Sequence, residues 1–187
     1  MFNAKTIDNF ISKEECNYLI DTVKNIETWQ EAASDYWSNR TLNAINIYNN
    51  IDPEAGKLLH SIQERVKNSI LSLYREEVIY PDLFEMVRWF PETELPPHVD
   101  DMTDAEGYEW FHHRHYGSVI YLNDDYVGGH TFYPNHNVEI IPKAGTLTLH
   151  PGDPNHLHGV TKVEGSIRYT IASFWTREKK YSNEWSI

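Results

Sequence analysis

The spacing of apolar positions along the chain changes character near residue 80. Before that point the period is helical. In "ISKEECNYLIDTV", Tyr18, Leu19 and Val23 fall on one helix face, and Ser12 with Glu15 forms a capping box at its start. A second helix begins in "IDPEAGKLL", where Asp52 is the N-cap and Pro53 takes the first helical position. Leu58, Ile62, Val66, Ile70 and Leu73 keep helical spacing down to about Tyr74. Between the two helices, "EAASDYWSNRTLNAI" is polar and aromatic and reads as a loop running into a strand.

After Pro81 the pattern becomes that of strands. "LFEMVRWF", "GSVIYLND", "HTFYP", "VEIIP", "GTLTLHP", "LHGVTKV" and "SIRYTIASFW" are short, rich in β-branched and aromatic residues, and punctuated by Gly, Pro, Asn and Asp. Two helices followed by seven or eight strands predict an α+β chain, mainly β, with helices backing a sandwich or jelly roll.

Bulk properties narrow the setting. The length of 187 residues fits one domain with a real core, and 40% hydrophobic and 24% charged residues are ordinary for a globular chain. A net charge of −12 argues against a nucleic-acid partner, because gripping a phosphate backbone needs a basic face. The single cysteine, Cys16, allows no internal disulfide and fits a reducing compartment. The start "MFNAKTIDNF" lacks the basic region and apolar run of a signal peptide, and no apolar stretch reaches membrane-spanning length. The expectation is a cytoplasmic protein with no membrane partner.

The chemistry is concentrated in a few places. In "ELPPHVDD", His98 and Asp100 stand two apart, and in a strand such residues point to one side. An imidazole and a carboxylate there make two thirds of a metal site. Candidates for a third ligand abound. His112, His113 and His115 cluster in "FHHRHYG", His130 and His136 follow, and His150, His156 and His158 lie near the end. His158 begins a strand and has Arg168 ten residues on, in the next one. Two His and one carboxylate leave three open positions on one side of a metal, the pattern of non-haem Fe(II) oxygenases. An arginine nearby suits a co-substrate with a second carboxylate, which its planar fork can grip.

These segments, in their order and spacing, resemble the 2-oxoglutarate- and Fe(II)-dependent dioxygenases, in particular the prolyl 4-hydroxylase-like branch. "IDNFISKEECNYLI" is similar to the entry helix of that branch, "NRTLNAI" to its Arg-Thr-Ser stretch, and "VRWFPETELPPHVDD" to the strand carrying His-x-Asp. "YGSVIYLNDDYVGGHTFYP" and "GTLTLHPGDPNHLHGVTKVEGSIRY" resemble its later segments.

The resemblance implies a double-stranded β-helix (jelly-roll) core with N-terminal helices packed against one sheet, as one domain over 1–187. Within it, 1–80 would form a helical support region with the first strands, 81–176 the jelly-roll core and 177–187 a tail. It also implies iron ligands at His98, Asp100 and His158, with His156 as a rival for the third position. The co-substrate carboxylate would meet Arg168, aided by Tyr121 and Thr131.

Fe(II), 2-oxoglutarate and O2 would be required, with ascorbate as a reductant. The implied reaction is hydroxylation of prolyl residues in a peptide or protein, with release of succinate and CO2. A free amino acid or other small molecule is the alternative substrate; a nucleobase demethylase and a non-enzymatic jelly-roll module are further alternatives. The chain departs from the branch at Arg88-Trp89, where relatives carry Arg-Tyr, and at Phe174, where they often carry Trp. Two loops, Ala32–Ala44 and Asp101–His113, are candidate covers for the substrate, the second strongly acidic.

Overall fold

The computed structural model describes residues 2–30, 35–103, 109–185 and 187. In chain order the elements are β1 (Lys5–Ile7), α1 (Lys13–Val23), β2 (Thr41–Asn43), α2 (Ala44–Asn50) and α3 (Pro53–Tyr74). Next come β3 (Tyr80–Trp89), β4 (Leu95–His98), the short pair β5 (Met102–Thr103) and β6 (Glu109–Trp110), then β7 (Tyr116–Tyr121), β8 (Val127–Gly128) and β9 (Thr131–Tyr133). The last strands are β10 (Val138–Ile140), β11 (Leu147–Pro151), β12 (His158–Val160), β13 (Val163–Glu164) and β14 (Arg168–Thr176).

The helices start where local chemistry dictates. Ser12 accepts from the Glu15 amide at 3.1 Å while the Glu15 carboxylate accepts from the Ser12 amide at 2.6 Å, closing the capping box. Asp52 accepts from the Glu54 and Ala55 amides, and Pro53 opens α3. The buried faces are narrower than the spacing predicts. Tyr18 is exposed, and its hydroxyl donates to Asp52 at 2.8 Å, tying α1 to the start of α3. On α3, Leu59 rather than Leu58 is fully buried and Leu73 is exposed, because the buried stripe ends at Ile70. The stretch expected as loop and strand holds β2 and then the extra helix α2, pinned by buried Ala44 and Ile47.

Two antiparallel sheets carry the fold: six strands in the order β1-β11-β7-β14-β3-β2, and four in the order β10-β9-β12-β4. Together they form the jelly roll. Alternation along each strand of the larger sheet assigns its two faces. Met86, Ile120, Leu147, Leu149, Ile171 and Trp175 point to the helices and share one core with Leu19, Val23, Leu59, Ile62, Val66 and Ile70. Trp175 thus lies in the core, away from the face that carries Arg168. A second, smaller cluster of Val87, Trp89, Val160 and Val163 joins residues of the two sheets. Among the described residues no helix is long and apolar enough to cross a membrane. Parts of both proposed covering loops, 32–34 and 104–108, lie outside the described residues.

Candidate metal and co-substrate site

The small sheet brings the first pair of groups together. β4 and β12 run antiparallel with His98 directly opposite His158, so the two imidazoles are cross-strand neighbours, 4.5 Å between ring centres. Asp100 does not share their strand. β4 ends at His98, and Asp100 sits in the bend beyond it, where the next amide, that of Asp101, donates to the Gly152 carbonyl at 3.0 Å. Simple strand alternation is therefore not what aims the carboxylate.

The result is a compact triad. One atom from each of His98, Asp100 and His158 lies within 4.8 Å of the others, and no other such group occurs among the described residues. Asp100 Oδ1 is 3.9 Å from His98 Nε2 and 3.8 Å from His158 Nε2. The Nδ1 atoms are occupied elsewhere: His98 Nδ1 lies 3.0 Å from the Pro96 carbonyl and His158 Nδ1 3.0 Å from the His156 carbonyl. Each carbonyl accepts the Nδ1 proton, which leaves Nε2 as a free lone pair.

Electrostatics favour the same state. Burial pushes the His158 imidazole down to about 3, with His150 adding to the effect and Asp100 opposing it. Burial alone would raise the Asp100 carboxyl, but the imidazoles of His158, His150 and His98 outweigh it and hold it well below the usual carboxylate range. A neutral imidazole beside an ionised carboxylate is the protonation state that metal ligation requires.

The rival and the loop cluster are engaged otherwise. His156 Nε2 accepts from the Asn3 amide at 3.0 Å and its Nδ1 pairs with Asp153 at 2.8 Å, so both nitrogens face the N-terminal segment and its own turn. His113 stacks on Tyr181 and approaches Asp82, His112 pairs with the Tyr181 hydroxyl, and His115 accepts from the Arg177 amide.

The large sheet supplies the second half of the site. Arg168, the first residue of β14, is 1% exposed, yet its Nε and Nη1 have no hydrogen-bond acceptor among the described residues. Its guanidinium lies over the Trp89 ring at 4.8 Å and the Tyr121 ring at 5.3 Å. Tyr121 Oη and Thr131 Oγ1 are joined at 2.7 Å, which connects the large sheet to the small one beside that guanidinium.

Tyr126, which sequence reasoning passed over, belongs here too. Its hydroxyl is buried without a hydrogen-bond partner, and burial pushes the phenol up to about 12 against the pull of Arg168. Gly129, at φ +63°, lets Arg168 and Tyr126 close in, since a Cβ there would fall 2.8 Å from Arg168 Cδ and 2.9 Å from Tyr126 Cε2. Buried, unpartnered donors of this kind are costly alone and suit a carboxylate. The donor set of the triad and these orphaned donors therefore fit a metal with a chelating dicarboxylic oxo-acid.

Two other details sharpen the picture. Trp89 spends its indole N–H on Thr170 Oγ1 at 3.4 Å, and the guanidinium groups of both Arg168 and Arg40 lie over its ring, each 4.8 Å away. Arg40 donates from Nε and Nη1 to the carbonyls of Arg88 and Tyr36 but leaves its buried Nη2 without an acceptor among the described residues, whereas three further arginines are paired within the protein. Arg88 donates to the carbonyls of Asn39, Ile26 and Glu27, Arg114 to Asp82, and Arg177 to Glu76.

Comparison with known proteins places this geometry in context. Residues 84–177, from within β3 to just past β14, match the model of the 2OG-Fe(II) oxygenase superfamily. A protein of Acanthamoeba polyphaga mimivirus, provisionally named a prolyl 4-hydroxylase, is 32% identical over 111 residues, 52% of this chain but only 46% of that relative's length. Prolyl 4-hydroxylase 1 of Arabidopsis thaliana is 22% identical over 94% of this chain and 69% of its own.

Among solved structures, a Trichoplax adhaerens prolyl hydroxylase in complex with a hypoxia inducible factor peptide fragment superposes with a TM-score of 0.72 at 19% identity, covering 97% of this chain and 86% of that one. The viral collagen prolyl hydroxylase of Paramecium Bursaria Chlorella virus-1, in its 2OG complex, gives 0.68 at 18% identity over 95% and 97%. These two likenesses speak for the fold.

Proposed function

Because the chain belongs to the 2OG-Fe(II) oxygenase superfamily, we propose that it hydroxylates prolyl residues in a peptide or protein, with His98, Asp100 and His158 holding the iron and Arg168 anchoring 2-oxoglutarate. When bound, iron and 2-oxoglutarate together supply the oxidising power for O2-dependent hydroxylation, with succinate and CO2 as co-products. The observation that carries the reading is the pairing of the triad with a buried arginine whose Nε and Nη1 have no acceptor among the described residues.

The chain's own residues then divide the work. His98 and His158 present Nε2 because backbone carbonyls hold Nδ1. Arg168 presents Nε and Nη1 to the distal carboxylate, while Tyr121, Thr131 and Tyr126 offer hydroxyls around it. The indole of Trp89 closes one side of the guanidinium and excludes water from it. A prolyl substrate is supported by the names of the relatives, two of them prolyl 4-hydroxylases by name.

The test is mass spectrometry of a broad panel of proline-containing peptides, alongside free amino acids and nucleobases, with Fe(II), 2-oxoglutarate and O2 each omitted in turn. A gain of about 16 Da on proline, lost on each omission, is expected; ascorbate should prolong turnover as a reductant. Oxidation of a free amino acid or base with every proline peptide untouched would replace the prolyl reading by the small-molecule one.

A further inference from the structure

The two oxygens of Asp100 face different partners. Oδ1 is directed at His98 Nε2 and His158 Nε2, 3.9 and 3.8 Å away. Oδ2 lies 3.2 Å from Nε2 of His150, a histidine that is 3% exposed and stands outside the triad. That approach does not meet strict hydrogen-bond geometry, but Oδ2 has no other donor among the described residues and is fully buried. A buried carboxylate oxygen without a donor is costly, so the nearest imidazole N–H is the group that serves it.

Two features around His150 suit this task. Its Nδ1 is 2.9 Å from the hydroxyl of Tyr133, itself fully buried. A phenol O–H donating to Nδ1 leaves the imidazole proton on Nε2, the atom that faces Asp100. Gly117 makes room for the meeting. β7 pairs with β11 so that Gly117 lies opposite His150, and a Cβ on Gly117 would come under 3.0 Å from both Asp100 Oδ2 and His150 Nε2. The strand is bare at the point where the two side chains meet. The His150 ring also leans on the His158 ring, 4.2 Å between centres.

We propose that His150 is a positioning residue: oriented by Tyr133, it holds Oδ2 of Asp100 through its Nε2–H and so keeps Oδ1 turned toward the metal as a single-oxygen ligand. The inference rests on the metal-site reading above. Outer partners of this kind, which fix a ligand's orientation, change metal affinity by about 10–100-fold when removed.

The experiment is anaerobic titration with Co(II), read by its visible absorption, on the full chain and its variants. His150→Phe keeps a ring of similar size and should weaken Co(II) binding by about 10–100-fold and alter the Co(II) spectrum, while thermal melts of the metal-free protein report its fold. His150→Gln, which retains an N–H donor, should recover part of the affinity. Tyr133→Phe removes only the hydroxyl that sets the tautomer and should cost less, a few-fold; it serves if His150→Phe fails to fold. A folded His150→Phe, or failing that Tyr133→Phe, with wild-type Co(II) affinity and spectrum overturns the proposal. Asp100→Ala separates the two readings: if it abolishes binding while His150→Phe is silent, only the role of His150 falls. If Asp100→Ala binds Co(II) like the wild type, the metal site itself falls and this proposal with it.

Discussion

Replacing Arg168 by Met should test the proposed co-substrate anchor through two effects of opposite sign. Met keeps an unbranched apolar stem in the same space but removes the guanidinium. In the wild type that cation is 1% exposed, and no carboxylate pairs with it among the described residues. Uncompensated buried charge costs several kcal/mol even after relaxation. Loaded with Mn(II) but no 2-oxoglutarate, Arg168→Met should therefore be at least as stable as the wild type.

With 2-oxoglutarate the order reverses. Two charge-assisted hydrogen bonds, from Nε and Nη1, are lost at about 1.5–3 kcal/mol each, a total of about 3–6 kcal/mol or more than a hundredfold in Kd. At a concentration 100 times the wild-type Kd, ligand stabilises the wild type by about 2.7 kcal/mol, which for a chain of this size is a rise in Tm of about 5–11 °C. A variant bound a hundredfold more weakly gains only about 0.4 kcal/mol under the same conditions, or about 1–2 °C. The assay is a thermal melt with Mn(II) under nitrogen, with and without 2-oxoglutarate. Arg88→Met is the control: its guanidinium donates to three carbonyls on the helix side, so the variant should lose stability and keep the ligand-induced shift. A full 2-oxoglutarate shift in Arg168→Met would refute the anchor.

The remaining predictions concern the neighbours. His98→Ala, Asp100→Ala and His158→Ala should each abolish turnover with loss of bound iron, measured by elemental analysis, whereas His156→Ala should keep both because its nitrogens serve Asn3 and Asp153. Tyr121→Phe strips one donor from the proposed anchor and the partner of Thr131; the KM for 2-oxoglutarate should rise by about 2–30-fold, from about 0.5–2 kcal/mol, with kcat held, since the contact would act on ground and transition states alike. Burial pushes the Glu85 carboxyl up to about 7, against the pull of Arg114. The folded state then holds that proton more tightly than the unfolded chain, so stability is full below the ordinary value near 4.5 and falls as pH rises through about 7. Glu85→Gln removes the loss, and urea melts should show it matching the wild type at pH 4.5 but exceeding it at pH 8 by at most about 3 kcal/mol; equal stability at both pH values would refute the assignment.

What was legible in the sequence is what depends on neighbours along the chain. The capping box of Ser12 and Glu15 and the Asp52-Pro53 start are complete within four residues, and both appear as read. The three strands that bear His158, Arg168 and Tyr121 are marked by their own composition. The helix α2 was missed because "AINIYNN" has weak helical preference; burial of Ala44 and Ile47 against the core holds it instead. Strand β1, three residues long, has no pattern to detect and exists by pairing with β11. Tyr126, Gly117 and the orientation of His150 were hidden for the same reason. Their roles follow from register between strands far apart in sequence, such as Gly117 opposite His150, and no local periodicity encodes register.

Charge illustrates the same separation between what is summed over the chain and what the site experiences. The net charge of −12 suggests a protein that repels anions. Exposed charges are screened over about 8 Å at physiological salt, and acidic groups such as Glu92, Glu139 and Asp153 sit at the surface with local partners. Between the sheets the balance is different. Arg168 is a buried cation over two aromatic faces, with hydroxyls of Tyr121, Thr131 and Tyr126 nearby and no carboxylate among the described residues to neutralise it. In that low-dielectric space one unpaired guanidinium outweighs a dozen screened surface carboxylates. An acidic exterior and an anion-seeking interior are thus compatible, and a dicarboxylate small enough to enter meets the second once past the first. The barrier from the exterior should fall with added salt. The on-rate of 2-oxoglutarate is expected to rise between low and physiological ionic strength while Arg168→Met shows the same salt trend at far lower affinity; stopped-flow measurement of both would decide it, and an on-rate that falls with salt in the wild type would show that the interior cation, not the surface, steers the ligand.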